Sequence, residues 1–123
     1  MREIVKAFKA LSGETKLRIL NLLLERECCV CEVMQALDIS QSKASRYLSA
    51  LYDAGFLKLR KDGLWSLYSI DNEGMTDYSS ELIAAVRKAL ENNRIASLDR
   101  EQLKKAQRVG VRCVGNPPRI ASY

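Results

Sequence analysis

Apolar residues recur along this chain in two different rhythms. Ile4, Val5 and Phe8 lie at helical spacing with Leu11 one turn on, and they predict a first helix over residues 2–10. Ser12-Gly13 interrupts it. Leu17, Leu20, Leu23 and Leu24 then make a strong stripe over residues 14–24, the expected core helix. Val30, Val33, Met34 and Leu37 repeat at three and four, so residues 28–37 read as a short amphipathic helix. Asp38-Ile39-Ser40 is a tight connection, and Ser40 is a good N-cap for a helix from Gln41 to about Ala54. Ala44, Tyr47, Leu48 and Leu51 form its buried face, and Gly55 suits the position just past its end.

The period then falls to two. Residues 56–60 read as a strand, Asp62-Gly63 as a hairpin turn and residues 64–70 as the returning strand. An isolated pair of strands must lean on helices for stability. A further helix is predicted over residues 78–92, with Leu82, Ile83, Val86 and Leu90 on one face, and a last short basic helix over 99–108. The fold class is mainly α with a two-stranded β-hairpin wing, the order of a winged helix-turn-helix. Residues 1–98 form the expected DNA-binding and dimerisation domain, and 99–123 a basic, partly flexible C-terminal extension.

Charge sharpens this reading. Net charge is +5, and residues 40–70 carry Lys43, Arg46, Lys58, Arg60 and Lys61 against Asp53 and Asp62. That local surplus beside a helix-turn-helix implies a polyanion partner. Gln41, Ser42, Lys43, Ser45 and Arg46 occupy the exposed positions of the helix that begins after Ser40, where Gln suits an adenine edge, and Arg and Lys suit guanine edges or phosphates. Lys58, Arg60 and Lys61 on the wing are placed to hold the adjacent backbone. One winged domain has little base-reading surface, so a homodimer on palindromic double-stranded operator DNA is expected. Ile4, Val5, Phe8, Leu82, Ile83, Val86 and Leu90 are the candidate dimer interface. The sequence has no histidine, the commonest general base, and no paired catalytic group, which argues against an enzyme and an organic cofactor. The N-terminus does not read as a signal peptide and no stretch is apolar enough to span a bilayer, so the expected location is the cytoplasm, without membrane partners.

The remaining chemistry is thiol. Cys28, Cys29 and Cys31 fall within four residues, and Cys113 lies far from them. In a reducing compartment such a cluster suits a soft ion or redox sensing better than a disulfide scaffold. Cys28 and Cys31, three apart, share a face of an ideal helix, whereas Cys29 and Cys31 lie about 200° apart and converge only if the helix start is unwound.

The run Glu27-Cys28-Cys29-Val30-Cys31-Glu32-Val33 resembles the arsenic-sensing box of the ArsR/SmtB family of metal-responsive repressors. Ser40-Gln41-Ser42-Lys43-Ala44-Ser45-Arg46-Tyr47-Leu48 resembles that family's recognition helix, with Tyr47 where histidine is usual, and residues 57–68 look like its wing. The resemblance covers about residues 4–92. It implies a homodimeric repressor that leaves DNA when As(III) or Sb(III) binds, with Cys29 and Cys31 as two ligands. The family's usual third thiolate position holds Met34, so the third ligand falls to Cys28, Cys113 or a small thiol. A thioether there suits Cu(I) better than arsenic. The histidine-dependent site that other members carry on the later helix is absent. Two alternatives stay open: the same fold answering to Cd(II), Pb(II), Cu(I) or thiol oxidation, and a winged-helix protein-interaction module without DNA binding.

Overall fold

A computed structural model describes residues 1–108, and both Cys113 and the tail expected to be loose lie outside them. The helices are α1 (Arg2–Leu11), α2 (Glu14–Glu25), α3 (Val30–Leu37), α4 (Gln41–Asp53), α5 (Asp77–Leu90) and α6 (Arg94–Lys105), and the strands are β1 (Leu57–Asp62) and β2 (Trp65–Ile70). The core is centred on α2, where Ile19, Leu20, Leu22 and Leu23 are buried against Val33 and Leu37 of α3, Ala44, Leu48 and Leu51 of α4, and Phe56.

The local chemistry explains the boundaries. Ser40 Oγ accepts from Lys43 N at 3.2 Å and starts α4. At its end Gly55 takes φ +90, and Phe56 N and Gly55 N donate to Leu51 O and Tyr52 O. That pair of bonds closes the helix with a Schellman motif, which needs a left-handed residue and therefore favours glycine. β1 and β2 pair antiparallel with Asp62 opposite Trp65, so the two-residue loop is Gly63-Leu64, one residue later than the sequence suggested. Gly63 at φ +62 supplies the positive dihedral that such a loop demands.

α3 begins two residues later than expected. Cys29 is its N-cap, with φ −92 and ψ 170, and Cys28 forms an isolated antiparallel bridge with Tyr68 of β2. The thiol segment is thus a one-residue third strand of the wing.

α6 begins five residues earlier than expected, capped by Asn93, whose Oδ1 accepts from Ala96 N at 3.0 Å. It is one continuous helix across residue 98, where a boundary was expected, and it packs on α2 and α3. Its seam is polar. Arg18 grips Asp99 with two bonds of 2.8 and 2.9 Å, Asn21 donates to Ala96 O, and Arg100 donates to Asn21 Oδ1. Leu103 closes the seam as a buried apolar plug. If α6 belongs to the same cooperative unit, Leu103→Ala should lower unfolding free energy by about 2–5 kcal/mol in a single urea transition. A loosely attached helix would show a change near zero.

Candidate nucleic-acid interface and thiol site

The residues expected to read DNA are displayed unevenly. Ser42 and Arg46 on α4 are exposed, and Gln41, Lys43 and Ser45 are half-buried around the same helix start. Arg46 stacks over Tyr47 at 5.2 Å, and Lys16 of α2 lies 5.4 Å from that ring. Tyr47 therefore sits half-buried between two cations at the edge of the core.

The wing cations do not act as one set. Successive residues of a strand point to opposite faces, so Lys58 and Arg60 share one face and Lys61 takes the other. Arg60 makes a two-bond ion pair with Glu27, including Nε to Oε2 at 2.9 Å. This pair holds the Glu27 carboxyl below its ordinary range, chiefly through the hydrogen bond from Arg60. Lys61 Nζ donates across the hairpin to Ser66 Oγ at 2.7 Å. Lys58 lines an open cleft of about 530 Å³ with Arg26, Arg60 and Arg87 over a floor of Leu23, Leu24 and Ile70.

The candidate dimer residues also divide. Ile4, Val5 and Phe8 are exposed at 36%, 44% and 54%, an apolar stripe beside the buried Ala7, Ala10 and Leu11 of α1. Leu82, Val86 and Leu90 of α5 are half-buried. Ile83 faces inward and is buried in the protomer's own core, so it presents nothing to a partner.

The three neighbouring cysteines are separated by the strand-like backbone. Cys28 points into the main core, and its Sγ lies 3.4 Å from Arg26 O. Cys29 points to the opposite side, where Cys29, Cys31 and Leu67 make a second small core with Trp65 packed on it. The expected sharing of one helix face by Cys28 and Cys31 fails because Cys28 is not helical. Cys29 and Cys31 meet the condition stated for their approach, because Cys29 is an extended N-cap outside the helix and is not bound by helical angles. Among the described residues no three Cys, Asp or Glu side chains are grouped to hold a metal ion. Cys28 and Cys29 carry thiols, while Cys31 stands in a disulfide.

Glu32 organises this start of α3. It is buried, its Oε1 accepts from Cys29 N at 2.9 Å, and Oε2 pairs with Arg26 Nη1 at 2.7 Å. Arg108 Nε reaches the same Oε1 at 3.2 Å. Gln35, one turn on, exchanges two hydrogen bonds with the backbone of Gln107. Sequence reasoning missed Gln107 and Arg108 because they follow the end of α6, far along the chain.

Burial pushes the Cys28 thiol up to about 12. Burial also raises Cys29, opposed by backbone N–H groups of Glu32 and Cys31 that favour its thiolate. For Cys28 the folded state favours the proton, so its stabilisation is complete below the ordinary thiol value of 9.0 and fades as pH rises towards about 12. The fall in urea stability above pH 9.0 should therefore be smaller in Cys28→Ala than in the unsubstituted chain, measured as a difference to cancel other alkaline titrations.

Residues 13–64 match the model of the bacterial regulatory protein arsR family. The chain is 31% identical over 87 residues to the arsenical resistance operon repressor of Bacillus subtilis, covering 70% of this chain and 83% of that protein. It is 42% identical over 72 residues to a cadmium resistance transcriptional regulatory protein CadC homolog of Staphylococcus aureus, covering 58% and 60%. The matched region spans about three fifths of the length of such curated relatives. Among solved structures, a homodimeric winged helix-turn-helix DNA-binding domain from Mycobacterium bovis superposes with a TM-score of 0.61 at 26% identity, covering 76% of this chain and 82% of that one. No helix among the described residues is long and apolar enough to cross a membrane.

Proposed function

The chain belongs to the arsR family of bacterial regulatory proteins, whose fold is that of winged helix-turn-helix regulators and not of enzymes, and we propose that it is a repressor released from DNA by a soft ion. The observation that carries this reading is the placement of Cys29 and Cys31 between the helix that supports α4 and the strand that carries the wing. Input and output share one small core.

α4 is the reading helix. Its N-terminus, opened by Ser40, directs backbone N–H groups and Arg46 toward the major groove and its phosphates. Two such helices are presented by a homodimer that buries the α1 stripe of Ile4, Val5 and Phe8 with Leu82, Val86 and Leu90, and its two-fold axis selects a palindromic operator. As(III) or Sb(III) is the inducer because trivalent metalloids favour thiolates. Cadmium is the rival, supported by the CadC homolog, and thiol oxidation is a second, supported by the disulfide at Cys31. Whichever ion binds, linkage requires DNA to weaken it by the same factor that it weakens DNA.

The test uses the reduced chain and a duplex selected from random-sequence DNA. Binding should fall steeply with salt, and Arg46→Ala should weaken it by about 1–3 kcal/mol if Arg46 reads a base edge. Arsenite, cadmium and peroxide are then compared as releasing agents on the complex. The metalloid reading expects release by arsenite in the unsubstituted protein and retention in Cys29→Ser. Release of the Cys29→Ser complex at the same arsenite concentration removes Cys29 from the mechanism and overturns this assignment.

A further inference from the structure

The cleft bordered by Lys58 lies apart from both the reading helix and the cysteines. Its walls come from α2 and the two residues that follow it, from both wing strands and Asn72, and from Arg87 of α5. Among the described residues none of its lining belongs to α3 or α4. Its volume of about 530 Å³ falls within the range of about 300–1,000 Å³ usual for small-molecule sites. Leu23 and Ile70 belong to the main core and Leu24 packs on it, so the floor is apolar and fixed in place.

The charge of the lining is one-sided, with four cations against the single carboxylate of Glu27. Two of the cations are already engaged. Arg26 donates to Glu32 Oε2, Glu27 O and Leu103 O. Arg60 holds Glu27, which neutralises the one group that would repel an anion. Lys58 and Arg87 are exposed and have no hydrogen bond or ion pair among the described residues. Lys58 stands opposite Ser69 in the hairpin register, and Asn72 adds an amide to the same cleft. Charge-assisted hydrogen bonds from such groups suit an acid head. Charge alone would be met by counterions, but the hydrocarbon floor favours a ligand that also has apolar surface to bury.

We propose that this cleft binds a small organic anion, a monocarboxylate whose head is held by Lys58 and Arg87 and whose apolar body lies against Leu23, Leu24 and Ile70. Ser69 and Asn72 supply the neutral donors beside the head. The site is independent of the cysteines and stands whether or not a soft ion is the inducer. It also gives Lys58 a use other than the DNA backbone.

The probe is octanoate, titrated into the full chain below the concentration at which it self-associates. Calorimetry gives the affinity, and amide shifts of Ser69, Ile70 and Asn72 give the place. Inorganic phosphate carries charge alone and octanol carries the chain alone. Octanoate should bind about tenfold or more tightly than either, because it alone uses both head and floor. Lys58→Glu and Arg87→Glu, both at exposed positions, should each weaken octanoate by about tenfold or more. Lys88→Glu makes the same charge change on the next α5 residue, outside the cleft, and should leave the affinity unchanged. Inorganic phosphate binding as tightly as octanoate, as a contact for a DNA backbone would, overturns the proposal. So does an equal loss in Lys88→Glu, a set of shifts centred on Ile4, Val5 and Phe8, or no saturable binding of octanoate. Each of these outcomes leaves the repressor reading untouched.

Discussion

Glu32 is the joint on which the geometry around the cysteines depends. Its carboxylate is inside the protein, and it is matched by the Cys29 N–H, Arg26 and Arg108. A buried charge that loses one partner costs about 3–5 kcal/mol, so these three contacts stand or fall together. Through them the end of α2, the start of α3 and the residues following α6 share one point. Arg26 adds a bond to Leu103 O, and Arg108 lies 3.9 Å from Asp62 at the wing tip. Because Glu32 holds Cys29 in an extended N-cap conformation, Cys28 and Cys29 point to opposite sides of the chain. The packing of Cys29 in the same small core as Cys31 follows from that one backbone choice.

A second ion pair, separate from Glu32, sets the charge presented by the wing. Arg60 looks in sequence like a phosphate contact, but Glu27, one residue before the cysteines, engages both sides of its guanidinium. An exposed pair of this kind contributes little stability, about 0–1 kcal/mol, so its weight lies in position more than in energy. It sets where β1 sits relative to the thiol segment. It also offers Arg60 an internal alternative to a phosphate.

Much of the architecture was legible in the sequence because local chemistry and apolar period agreed. Ser40, Gly55 and the hairpin glycine mark their boundaries by capping and by positive φ, and α1 through α4 follow their stripes. The failures share a cause. α6 was misplaced because its docking face is Asp99, Arg100 and the partners Arg18 and Asn21, while Ile95 and Leu98 face solvent. A reading that sends apolar residues inward cannot find a helix bound by polar groups. Periodicity marks the face of α5 that carries Ile83 but not what covers it, and the protomer's own core covers it. The cysteines were read as helical because Val30 and Val33 begin a good stripe, and nothing local announces that Tyr68, forty residues on, pulls Cys28 into a bridge.

The contact between β2 and the thiols was invisible for a deeper reason. Alternation along β2 predicts two faces but does not say that each meets a different core. Once both are known, stiffness decides how a disturbance would spread. α3 is backed by interlocked side chains from α2 and α4, with Leu37, Leu48 and Leu51 buried together. The hairpin leans on the domain through buried Leu57, Leu67 and Ile70, through the Cys28–Tyr68 bridge and through an exposed ion pair. Strain introduced between a stiff element and a soft one is relieved in the soft one. α4 is among the stiff elements, anchored at both ends by its Ser40 cap and its glycine closure.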